Sequence, residues 1–222
     1  MSDKRLHEQI EALGQEWLQE HFINLPVSEA TKLIDFCFFG TRMICVFQDF
    51  NVQEIDLETK TVFKRYNLQE IERFEISEDV EEDKVVSFAL EKDVQLFSVS
   101  CMTSVHVFEY SEEEENSLTH VATIPVAEVT QLLFVDYILV MVQPGERCIN
   151  FNSWDPDSEG IKSKLVFETD FKQLFLESGS ECFYFAAGTE ICKVDVLDMS
   201  MSFRIQSGHS KPINSMALSS MN

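Results

Sequence analysis

Apolar residues recur along this chain with two different periods, and the change falls near residue 33. Before it, Leu6, Ile10, Leu13 and Trp17 follow one another at spacings of four, three and four residues, which sets them on one face of a helix. Ser2 suits the N-cap, Asp3 lies in the first turn and Pro26 closes the segment. Residues 1–26 are therefore expected to form an amphipathic helix, with Glu8, Gln9, Glu11, Gln15, Glu16 and Glu20 on its polar face. The stripe of Leu6, Ile10, Leu13 and Trp17 is a candidate partner-binding surface, because an apolar row ending in Trp anchors well in a groove. The preferred reading of the stripe is nevertheless that it packs onto the protein's own body.

From residue 33 onward, apolar runs of four to eight residues rich in Phe, Val and Ile alternate with short turns, which is a strand pattern. The runs fall into four sets of four. Strands are expected at 33–39, 42–48, 51–57 and 61–66; at 85–90, 94–100, 104–110 and 118–124; at 129–135, 137–142, 147–152 and 162–167; and at 171–176, 181–186, 190–196 and 201–205. Aligning the third strand of each set brings Ile55, Phe108, Phe151 and Val194 together, separated by 53, 43 and 43 residues. The acidic stretch 75–84 accounts for the longer first interval. Four strands repeating near every 43 residues predict propeller blades, at 33–74, 85–126, 129–169 and 171–209, with the start of another at 213–218. The predicted fold class is all-β: about four blades, preceded by the helix.

The residues also resemble a known family. The run 51–62 looks like the third strand and following turn of a WD40 repeat, with Ile55-Asp56 where that family carries Trp-Asp. Val194-Asp195 fills the same place in the fourth unit, and Gly208-His209 stands where the next blade's opening dipeptide would. The resemblance implies that Asp56, Asp195, Gly208 and His209 are structural, since in that family the His and Asp join a hydrogen-bond network bracing the blade. Trp154-Asp155 is expected to fall a few residues late, in a loop, and the first three junctions lack Gly-His. A seven-bladed ring needs on the order of 300 residues. Three alternatives follow: the last strand closes a small ring, the chain is a shortened form of a longer protein, or a partner's blades complete an open array. The shortened form is preferred, because an open array leaves strand edges unpaired.

Charge narrows the partners. The 222 residues carry a formal net charge of −22, which disfavours direct non-specific nucleic-acid binding and suits a basic peptide segment. Acidic runs at 75–83 and 109–115 are expected in loops, as solvated segments or as docking sites for such a segment, and Ser77 and Ser111 beside them are weak candidates for phosphorylation. Six cysteines show no C-x-x-C pair and lie mostly in apolar runs, as expected of buried thiols in a reducing compartment. No signal-peptide core and no long apolar run occurs, so the expected location is intracellular, in nucleus or cytoplasm, with no membrane contact.

Catalytic chemistry is not expected. Asp155-Pro-Asp157-Ser-Glu159-Gly160 resembles a calcium loop, but Val166 stands at the twelfth position where a bidentate carboxylate is needed. His7, His21, His106, His120 and His209 form no ligand pair or nucleophile setting, and His106, between Val105 and Val107, is expected to face solvent. No phosphate-binding glycine loop is present, and no cofactor or metal is expected. The expected function is that of a non-catalytic scaffold or adaptor subunit contacting other protein subunits of an intracellular complex. The fourth unit is similar in layout to the divergent propeller subunits of the THO messenger-RNA export complex and of the transfer-RNA guanine-N7 methyltransferase. The alternative is a substrate receptor recruiting a client peptide to an enzyme such as a ubiquitin ligase.

Overall fold

Sixteen strands build four separate sheets in a computed structural model that describes residues 31–74, 83–91, 95–111, 118–158, 160–170, 174–208 and 210–216. Blade 1 comprises β1 (Leu33–Phe39), β2 (Arg42–Phe47), β3 (Asn51–Asp56) and β4 (Thr61–Asn67). Blade 2 comprises β5 (Ser87–Glu91), β6 (Leu96–Ser100), β7 (Val105–Tyr110) and β8 (Leu118–Ile124). Blade 3 holds β9 (Gln131–Val135), β10 (Ile138–Pro144), β11 (Cys148–Trp154) and β12 (Ser163–Glu168). Blade 4 holds β13 (Leu174–Ser178), β14 (Cys182–Ala187), β15 (Glu190–Asp195) and β16 (Ser200–Gln206). Every sheet is antiparallel with its strands in chain order. The expected helix at 1–26 lies outside the described residues.

Tight turns make this meander possible. Gly40 and Gly188 close the first hairpin of blade 1 and the central hairpin of blade 4 at φ +58° and +60°, where a Cβ would be strained. The first strands touch in succession, β1 with β5, β5 with β9 and β9 with β13, and no comparable contact joins β13 back to β1 among the described residues. The sheets thus form an arc. Residues 212–216 take no regular secondary structure, and Ile213 N–H donates to the Gly188 carbonyl at 2.7 Å.

Burial follows position within the blade. The fourth strands β4 and β12 largely alternate between exposed residues and half-buried or, at Phe167, buried ones, because solvent meets one side of them. In blades 2 and 3 the second and third strands are covered on both faces by neighbouring blades. Ile44, Val46 and Val52 of blade 1 pack on Phe97, Val99 and Phe108 of blade 2. Val105 and Val107 pack on Leu132, Leu139 and Trp154 of blade 3, whose other face meets blade 4 through Phe151, Phe183 and Phe185. Each such side chain contributes about 1.5–3 kcal/mol by leaving water.

Two expectations are overturned here. His106 does not face solvent; it is 0% exposed, because β7 is an inner strand with a blade on each side. Nor does Trp154 lie in a loop: it is the last residue of β11, with Asp155 directly after it. In β10–β11, Trp154 stands opposite Leu139, the second residue of its strand, as Ile55 stands opposite Met43 and Val194 opposite Phe183. Trp154, not Phe151, is therefore the counterpart of Ile55, and the Trp-Asp pair occupies the strand end. The cause is hairpin length: Leu139 and Trp154 are 15 residues apart in sequence, whereas Met43 and Ile55, Phe97 and Phe108, and Phe183 and Val194 are 12, 11 and 11 apart, so β11 ends later than its counterparts.

Candidate protein-interaction surface

The strand-end acids are used for local bracing. Asp56 Oδ1 accepts from the Thr59 N–H at 2.7 Å and from the Thr59 hydroxyl at 2.9 Å, and these bonds hold its carboxyl below the usual range. Asp155 Oδ1 accepts from Asp157 N–H at 3.0 Å while its Oδ2 pairs with the Lys162 ammonium, and Asp195 Oδ1 accepts from Leu197 N–H at 3.0 Å. Each closes the turn after a third strand. Gly208 sits at φ +77°, a conformation suited to glycine. His209, Ser77, Leu6, Ile10, Leu13 and Trp17 lie outside the described residues, as does most of both acidic runs.

A histidine cluster that sequence reasoning missed lies inside blade 2. Ser104 Oγ is 2.9 Å from His106 Nε2, His106 Nδ1 is 3.4 Å from His120 Nε2, and Thr123 Oγ1 is 3.2 Å from both rings. Phe74 lies against His106 with ring centroids 4.5 Å apart. Burial, reinforced by His120, pushes His106 down to about 4. Burial also lowers His120. Both rings are neutral near pH 7.

The sign of the pH dependence follows. The unfolded chain protonates His106 near the ordinary imidazole value of about 6.5, but the folded chain resists until about 4. Stability is complete above the first value and is lost as pH falls towards the second, by up to about 3 kcal/mol. Urea midpoints compared between about pH 7.5 and about pH 5 should fall for the native chain and fall less for His106→Gln; equal falls would refute the assignment.

The thiols serve packing. Cys45 and Cys192 are buried and pushed up to about 11 by desolvation, and Cys101 is pushed up for the same reason with Asp83 adding to it. None of the six cysteines is in a disulfide. Among the described residues, no group of three or more His, Cys, Asp or Glu could hold a metal ion, and no helix is long and apolar enough to cross a membrane.

Surface features are more informative. A groove of about 420 Å³ runs between β4 and β8, lined by Arg65, Asn67, Glu70, Glu72, Thr119 and His120. On blade 4, the face turned away from blade 3 presents Phe203 and Ile205 at 38% and 50% exposure. They stand opposite Lys193 and Ile191 of β15, and Tyr184 of β14 lies beneath, its ring 6.1 Å from that of Phe203. In blades 2 and 3 the equivalent faces are interfaces. Here the sheet has the apolar surface of an interface and no described blade upon it.

Chain-order four-stranded sheets, first strands in succession and a braced Trp-Asp strand end together define the architecture, and known structures match it. The chain has the WD40 β-propeller fold. The structure of U3-55K matches with a TM-score of 0.59 at 11% identity, over 85% of this chain and 56% of that one. The C-terminal WD40 domain of Sif2 gives 0.58 at 12% identity over 87% and 51%. A chain in the mitotic checkpoint complex gives 0.57 at 13% over 82% and 53%. The chain thus spans about half the length of the chains in these structures. No protein-family profile and no curated protein sequence matches it.

Proposed function

We propose that this WD40 arc is a non-catalytic scaffold or adaptor subunit that holds other proteins in an intracellular assembly. One observation carries the reading: blade 4 offers solvent a blade-type apolar face, with Phe203, Ile205 and Tyr184 across neighbouring strands. Exposed apolar surface of this kind on a rigid sheet marks a protein-binding site. The fold itself supplies no activity. The formal charge of −22 supports a partner that is neutral or basic where it meets the acidic runs at 75–83 and 109–115, and disfavours bare nucleic-acid backbone as the ligand. An assembly handling RNA, in nucleus or cytoplasm, is the setting we favour, from the layout of the fourth unit.

The test is co-purification under stringent washing from cells expressing the native chain or Phe203→Asp/Ile205→Asp. The native chain should retain stoichiometric RNA-processing subunits and the variant should lose them, with its thermal unfolding within a few degrees of native. Cullin-type partners held at that stoichiometry would favour the substrate-receptor reading. Unchanged recovery from the folded variant would remove blade 4 as the docking face.

A further inference from the structure

The face of blade 1 turned away from blade 2 is covered, although no other blade lies upon it among the described residues. Met43, Cys45 and Phe47 alternate along β2 on this face, with Ile55 of β3 beside them, and they are 9%, 0%, 0% and 1% exposed. The described apolar side chains packed against this cluster are Leu33, Leu57 and Val62, all from blade 1 itself. Neighbours within one sheet shield the flanks of a side chain but leave its tip open, since side chains stand roughly perpendicular to the sheet. A phenylalanine with no exposure at the centre of a sheet face therefore requires a covering layer.

The cover has a definite width. Phe36 and Phe38 of β1 pair with Cys45 and Met43, so they share this face, yet they are 47% and 53% exposed. The covered band thus lies over β2 and β3 and leaves the first strand open. Two strands about 4.8 Å apart, with their side chains, make a band about 10 Å wide, which is the diameter of one α-helix, about 10–12 Å. Gln53 stands opposite Cys45 within the band, is 8% exposed, and its Oε1 has no hydrogen-bond partner among the described residues. A suitable occupant brings apolar residues along one helical face and an N–H donor near them.

We infer that residues 1–26 are this occupant, with Leu6, Ile10, Leu13 and Trp17 turned onto the outer face of blade 1. The stripe supplies the apolar row, and Trp17 supplies an indole N–H. Chain connection agrees: β1 starts at Leu33 on the edge of the same blade, and residues 27–32 can span about 20 Å, the width of the sheet. The segment caps the end of the arc, removing an apolar face that would otherwise drive association. It leaves blade 4 as the end that accepts a partner.

Thiol labelling of the full-length folded chain, followed by peptide mapping, tests this. Cys45 should label as slowly as Cys101 and Cys192, which are equally buried. Leu13→Asp/Trp17→Asp should speed Cys45 labelling by about tenfold or more while Cys101 and Cys192 keep their rates. Unchanged Cys45 protection in that variant would overturn the inference. So would native protection that fades on dilution, which would assign the cover to a second copy. Should the double variant unfold, Trp154→Phe leaves Trp17 as the lone indole. Docked, it is shielded from acrylamide, and Met43→Lys opens it; quenching as strong as that of free indole in the folded protein overturns the docking.

Discussion

Phe185→Ala should lower the free energy of unfolding by about 3–5 kcal/mol, which is much of what a domain of this size holds in total. Phe185 is 0% exposed between blades 3 and 4. Its ring lies 4.8 Å from that of Phe151 and 4.9 Å, edge-on, from that of Phe167, with Phe183 at 6.3 Å. Three of these rings belong to inner strands whose backbones are fixed by pairing on both sides, so the cavity left by truncation cannot collapse. The lost transfer energy and the cavity cost therefore add. Urea unfolding followed by circular dichroism measures the change. A loss below about 1 kcal/mol would mean that the interface repacks freely, contrary to this description.

Arg42→Ala should cost a similar amount, about 3–5 kcal/mol, through charge and not volume. Glu54 is 1% exposed between blades 1 and 2, and its carboxylate accepts from Arg42 Nη1 at 3.2 Å and from the Tyr66 hydroxyl at 2.5 Å. Burial, together with the Glu54 carboxylate, also pushes the Tyr110 phenol up, so that it stays protonated. Removing the guanidinium leaves the buried anion without its counter-charge, and Arg42 also loses its seat over Phe63, 4.0 Å from the ring centroid. Arg42→Ala/Glu54→Gln should regain most of the loss, because the uncompensated charge is then gone. A double variant no more stable than Arg42→Ala would show that packing of the arginine stem, not pairing, sets the cost.

The blades were legible because their spacing is carried by apolar runs, and runs survive divergence better than motifs do. The strands expected at 61–66 and 162–167 are found as β4 and β12, within one residue at each end. Alternation failed for His106, since it identifies a face but not what stands against it, and β7 has a blade on either side. Glu54 was equally hidden. Its partners are Arg42 on one neighbouring strand and Tyr66 on the other, brought together only by register. Trp154 was displaced by a different cause: the hairpin between β10 and β11 is longer than those of the other blades, so its strand end falls later in the sequence. The open face of blade 4 left no local sign, for Phe203 and Ile205 read like the members of any strand.

The chain-order pairing within every sheet has a bearing on synthesis. Each strand bonds to the one made just before it, so every pairing joins segments adjacent in sequence and closes only a short loop. Contact order within a sheet is accordingly low for an all-β protein, and each unit can assemble as it leaves the ribosome, with no need to wait for the C-terminus. The newest sheet then has its predecessor as a template, and assembly proceeds in one direction along the chain.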